Sequence, residues 1–174
     1  MQIRRMTSIA LVTAVMCLIS PFMIYIPVSP VPVSFSVFTV FIAVYVLDMR
    51  DGLIACGLYV LLGLVGLPVF SGFTGGAGKL LGPTGGYIIG YFLIILIASP
   101  LVHRTADLRL HGLALIAGVA ACYALGTLWL AISTGLSFDK ALLAGVIPFI
   151  PADLVKTAAI LVAGPQLKRA IYSS

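Results

Sequence analysis

The sequence predicts an all-α integral membrane protein with six transmembrane helices and a glycine-rich outer loop between helices 3 and 4, forming one domain over residues 1–174. Composition is the first reason: 61% of residues are hydrophobic, 9% are charged, there is no glutamate, and mean hydropathy is +1.21. Soluble chains carry roughly 25% charged residues. Distribution is the second reason, because nearly uncharged stretches recur along the whole length and a single signal peptide does not account for them. The third is the loop Phe70–Tyr87, FSGFTGGAGKLLGPTGGY, which holds seven of the 18 glycines between two apolar segments. The formal charge of +5 reads as a set of topology markers rather than a nucleic-acid footprint.

The first helix is expected over Met6–Ile26, with Arg4 and Arg5 at its foot and a kink near Pro21. Ala10 and Ala14, four apart, make a small-residue face that allows close helix approach, to this chain or to a partner subunit. Pro27, Pro30 and Pro32 with Ser29 form a stiff connector. Apolar runs follow over Val33–Leu47 and Leu53–Leu67, separated by the charged turn Asp48–Gly52; both are short for a full crossing. A fourth helix is expected over Thr84–Val102 and a fifth over Gly112–Ile132, with Trp129 as an interfacial belt residue. His103 and His111 read as interfacial loop residues. Ser137 is placed to cap a short run Phe138–Ile147, and a last helix is expected over Pro151–Ala163.

Six crossings place both termini on one side. Arg4, Arg5, Arg50, Arg104, Arg109, Lys168 and Arg169 then share that side, against Lys79 and Lys140 on the other. The positive-inside rule makes the terminal side cytoplasmic. The glycine-rich loop, the proline connector and the start of the last helix are thereby expected to converge on the outer face.

A glycine-rich connector in so apolar a chain is a candidate ligand-contact loop, because glycine lets another group approach the main chain closely. It is not a Walker loop: Gly78-Lys79 supplies the GK pair, but Phe73 stands where the first glycine belongs and Leu80 where the hydroxyl belongs. Thr84 is placed to cap the helix that follows, and the free N–H groups of Thr84-Gly85-Gly86 at a positive dipole end suit a small carboxylate.

Asp153 and Lys156 are the sharpest side-chain signal. They are an acid and a base inside an apolar run, and at i,i+3 they share a helix face. Intramembrane charges are expensive to desolvate, so they mark either a structural ion pair or a site for a ligand needing an acceptor beside a donor. Cys17, Cys56 and Cys122 read as buried small hydrophobes, and no motif assembles a metal site, a cofactor site or a nucleophile with a base.

The run Gly63-Leu64-Val65-Gly66-Leu67-Pro68-Val69-Phe70, then Gly75-Gly76-Ala77-Gly78 and Gly82-Pro83-Thr84-Gly85-Gly86-Tyr87, resembles the signature of the biotin-specific S components of energy-coupling factor (ECF) transporters, the BioY family. Val31–Phe35 and Pro151–Lys156 resemble the same family. The resemblance implies a non-enzymatic substrate-binding subunit in a bacterial or archaeal plasma membrane. It captures biotin from outside and works with a transmembrane coupling subunit and two ATPases, which alone use ATP. It also implies that Asp153 and Lys156 line the biotin site and that Ala10 and Ala14 contact the coupling subunit. Family members often carry Gln near Ser36, so this chain departs from the pattern there.

Biotin suits the residues chemically. Its ureido ring offers donors and an acceptor to Asp153 and Lys156, its carboxylate needs donors such as Lys79 or the Thr84 helix start, and its apolar surface suits Phe35, Phe38, Phe73 and Tyr87. The alternatives are a carrier for another small vitamin-like carboxylate, a membrane assembly subunit that binds no small molecule, and an integral membrane enzyme.

Overall fold

The computed structural model describes residues 2–24 and 33–172. Their regular elements are α1 (Gln2–Ile19), β1 (Met23–Ile24), β2 (Val33–Ser34), α2 (Ser36–Val46), α3 (Met49–Leu64), α4 (Ala77–Leu81), α5 (Gly85–Arg104), α6 (Leu108–Thr134), α7 (Phe138–Gly145) and α8 (Ile150–Tyr172). The connector carrying Pro27, Ser29, Pro30 and Pro32 lies outside the described residues.

The expectation of six transmembrane helices is overturned. Among the described residues, α5 and α6 are the two helices long and apolar enough to cross a bilayer, and α7 with α8, bent by 46°, make at most a third span. The physical reasons lie in the other helices. With 11 residues, α2 reaches about 16 Å against a hydrocarbon core of roughly 30 Å. Helix α1 includes Arg4 and Arg5 in its 18 residues, and α3 opens on Arg50 and Asp51. Nor does α1 continue as a kinked helix past Pro21. It stops at Ile19, and the chain enters β1, which pairs antiparallel with β2 through Met23 opposite Ser34 and Ile24 opposite Val33.

Helices α5 and α6 form the closest pair, because small residues let their backbones approach. A Cβ on Gly90 would sit 2.6 Å from Cys122 Sγ and 3.0 Å from its Cα, and one on Gly86 would strike Trp129. Helix α2 packs against α5 and α8, and α1 against α2 and α3. The buried core runs through Val40, Phe41 and Val44 on α2, Tyr59 on α3, Ile94 and Ile95 on α5 and Leu115 on α6.

Polar contacts tie one end of the bundle together. Arg5 forks onto Asp51, with Nε at 2.8 and 2.7 Å from the two carboxylate oxygens, so Asp51, in the first turn of α3, is a buried ion-pair partner. His103 Nε2 lies 3.0 Å from both the Val44 and Leu47 carbonyls, satisfying the end of α2. His111 is buried, with Nδ1 at 3.2 Å from the Tyr45 hydroxyl and Nε2 at 3.0 Å from the Thr105 carbonyl. The two histidines thus lie on α5 and α6 rather than in a loop, and each bonds across elements. Lys168 donates to the Val102 carbonyl at 3.3 Å, bringing the end of α8 to the same place.

The opposite end is built on the glycine-rich loop. Gly72 N–H donates to the Pro21 carbonyl at 2.8 Å and Gly76 N–H to that of Gly63 at 2.6 Å, while φ of +80° and +91° at these two positions would strain any other residue. Phe70 is fully buried and edge-on to Tyr59, so the loop contributes to the core as well. Helix α8 continues through Pro165 to Tyr172, well past the expected end at Ala163. The anticipated cap at Ser137 makes no side-chain hydrogen bond.

Candidate functional site

A cavity opens at the glycine-loop end, with about 620 Å³ of empty space including the part open to the exterior. Ser34 and Ser36 contribute from β2 and the start of α2, Tyr59 from α3, and Ser71 from the loop. From α5 come Thr84, Tyr87, Ile88, Tyr91 and Ile94, from α6 Val119, Cys122 and Tyr123, and from the α7–α8 corner Phe149 and Asp153. Eight of these residues carry a hydroxyl and one a carboxylate, set among aliphatic and aromatic side chains, so the wall joins apolar surface to polar groups that can orient a small molecule.

Asp153 sits in the first turn of α8, where Pro151 suits the helix start, and its N–H donates to the Phe149 carbonyl at 2.9 Å. Its side chain is 7% exposed and that of Lys156 11%. Lys156 Nζ donates to Asp153 Oδ1 at 2.7 Å and to the Ser34 carbonyl at 2.7 Å; Tyr123 donates to Asp153 Oδ2 at 2.5 Å. A carboxylate has about four acceptor sites and an ammonium three donors, so each oxygen of Asp153 and one N–H of Lys156 retain capacity for a ligand. Asp153 itself lines the cavity; Lys156 is not among the lining residues but bonds to two that are, Asp153 and Ser34.

At the start of α5, the expected cap does not form. The Thr84 hydroxyl makes no capping bond; it is buried in the cavity wall with no hydrogen-bond partner. Gly85 N–H is taken by the Gly82 carbonyl at 3.0 Å, and a Cβ there would collide with the Leu80 carbonyl. Gly85 and Gly86 therefore serve the packing of α5 against α4 and Trp129, and the Gly85 amide is already taken by the Gly82 carbonyl. Trp129 Nε1 donates to the Gly82 carbonyl at 3.0 Å, tying α6 to the end of the glycine-rich loop. Tyr87 lines the cavity, and its hydroxyl donates to the Gly145 carbonyl at 2.8 Å, tying α5 to α7.

The remaining expected ligand residues are not among those lining the cavity. Lys79 lies half-buried on α4, where burial lowers its pKa from the ordinary lysine value. Phe73 is 60% exposed with its ring edge-on to Phe22, Phe35 is 41% exposed, and Phe38 packs into the core. Ala10 and Ala14 are exposed on α1. Conversely, sequence reasoning passed over Tyr59, Ser71, Tyr91 and Tyr123. Tyr91 follows Tyr87 at i+4, a spacing that puts both on one helix face and was available as a signal. Among the described residues, no three His, Cys, Asp or Glu side chains come together in a metal-binding group.

Comparison with known proteins bears on the whole chain. A family model described as the BioY family matches residues 1–173. The biotin transporter BioY of Thermotoga maritima is 38% identical over 146 residues, 84% of this chain and 86% of that protein. The biotin transporter BioY2 of Lactococcus lactis is 33% identical over 167 residues, covering 95% and 91%. In three dimensions the chain resembles the crystal structure of the S-component for biotin from an ECF-type ABC transporter. The TM-score is 0.87 at 27% identity, covering 97% of this chain and 92% of that one.

Proposed function

The chain belongs to the BioY family, and on that premise we propose that it captures biotin at the cavity between α2, α5, α6 and α8 as the substrate-binding subunit of an ECF transporter. It is a membrane transport protein and not an enzyme. The observation that carries the site is the buried Asp153–Lys156 pair, whose Asp153 is the one charged residue lining the cavity. One edge of a cyclic urea presents an N–H beside a carbonyl, so Asp153 accepts from the N–H and the remaining proton of Lys156 donates to the carbonyl. Such charge-assisted bonds in a desolvated site are the strong ones. The thioether ring and aliphatic chain pack on Ile88, Ile94, Val119 and Phe149. The buried, unpartnered Thr84 hydroxyl supplies a donor for the carboxylate, whereas Lys79 is not among the residues lining the cavity.

Transport is completed by a transmembrane coupling subunit and two ATPases. Exposed Ala10 and Ala14 on α1 supply a small-residue face for the coupling subunit. The end carrying Arg5, Arg104 and Lys168 faces the cytoplasm in this reading, because basic residues collect there and the cavity lies at the other end. Equilibrium binding of radiolabelled biotin to the purified chain tests the proposal. Saturable binding at one site per chain, without partner subunits, is expected; a chain that remains folded in detergent and retains no biotin would refute it.

A further inference from the structure

We infer that Tyr123 is a positioning residue that sets ligand affinity through Asp153. The inference rests on the reading that Asp153 accepts a ligand N–H. Tyr123 lies on α6 and Asp153 on α8, 30 positions apart, and the phenol donates to Oδ2 at 2.5 Å while Lys156 donates to Oδ1 at 2.7 Å. The carboxylate is therefore held from two sides by groups on two helices, and its plane is fixed relative to the cavity. With one lone pair of each oxygen already occupied, the pairs left to a ligand point in set directions.

The geometry also fixes chemistry. Asp153 is buried, so any lone pair that loses its donor is left without water to replace it. Tyr123 removes that penalty at Oδ2 in the empty site and keeps the carboxylate from swinging about its side-chain torsion toward Lys156. The result is a pre-organised acceptor, which favours a ligand presenting an N–H and disfavours one presenting an oxygen lone pair. Sequence inspection gives no hint of this role, since Tyr123 sits in the uniformly apolar run of α6.

The test is a double-mutant cycle on biotin affinity, with thermal melts on each protein. Tyr123→Phe is expected to weaken biotin about tenfold, and replacing Tyr123 with 4-aminophenylalanine, which retains a donor, to recover most of that loss. In an Asp153→Asn background, Tyr123→Phe should add less than about a twofold change, because a residue acting through another has no effect once its target is altered. Equal losses in both backgrounds, or unchanged affinity in Tyr123→Phe beside a weakened Asp153→Asn, would overturn the inference. So would a folded aminophenylalanine protein that binds no better than Tyr123→Phe; this arm decides the matter even if the Phe variant does not fold. Unchanged affinity in Asp153→Asn alone is a separate outcome, which removes the carboxylate from the site and the inference with it.

Discussion

Lys156 and Ser34 are 122 positions apart in the chain, yet the Lys156 ammonium donates to the Ser34 carbonyl at 2.7 Å. This bond joins α8, which carries the acid of the site, to β2, which forms part of the cavity rim. One side chain thereby serves both the charge balance of Asp153 and the placement of the ribbon.

Lys156→Met is expected to loosen that junction. Amide hydrogen exchange at Val33 and Ser34 should rise, and the detergent melting midpoint should fall, because Asp153 is left buried without its counter-charge. Unchanged exchange at Val33 and Ser34 would show that the lysine does not hold the ribbon.

Arg5→Ala is expected to lower thermal stability, and Arg5→Lys to recover only part of it, since the guanidinium fork meets both oxygens of Asp51 and an ammonium does not. Melting curves of the two variants check this. Equal midpoints for Arg5→Lys and the parent protein would mean that charge alone matters at that end.

Gly90→Val should damage the α5–α6 pair directly. Its Cβ meets Cys122 Sγ at 2.6 Å, so the helices must separate, with a loss of about 1 to 3 kcal/mol from overpacking and a matching loss of biotin binding from the cavity they line. A thermal melt and a binding titration on the same preparation read both effects.

Ala10→Trp with Ala14→Trp should abolish biotin uptake in cells that express the full transporter while leaving binding to the isolated chain near the parent value, because both residues face outward from the fold. Loss of binding in the isolated chain would instead assign these alanines to the protein's own packing.

What the sequence reveals here depends on how unusual a residue is in its surroundings. Asp153 and Lys156 stand out because charge is rare in so apolar a run, and Thr84 and Tyr87 stand out at the end of a glycine-rich stretch. Tyr91 is legible from its i+4 spacing to Tyr87, whereas Tyr123 is not, because an apolar helix with no polar face does not show which side meets a cavity. Gly85 and Gly86 carry a second role that the sequence does not separate from ligand contact: glycine permits close approach equally to a ligand and to a neighbouring helix, and here the neighbours are Leu80 and Trp129. The count of six crossings failed because apolar runs were equated with spans. Arg50 and Asp51 open α3, and Asp48 follows α2 so closely that the helix stays short.

The most direct test of the account is biotin affinity in Asp153→Asn, Lys156→Met and the double variant. If the pair reads the ureido ring, each single change weakens biotin by about 2 to 4 kcal/mol, or roughly 30-fold to 1000-fold, and the double variant stays weak. A double variant that regains parental biotin affinity would contradict the account, since it would make Asp153 and Lys156 a structural ion pair whose only requirement is each other.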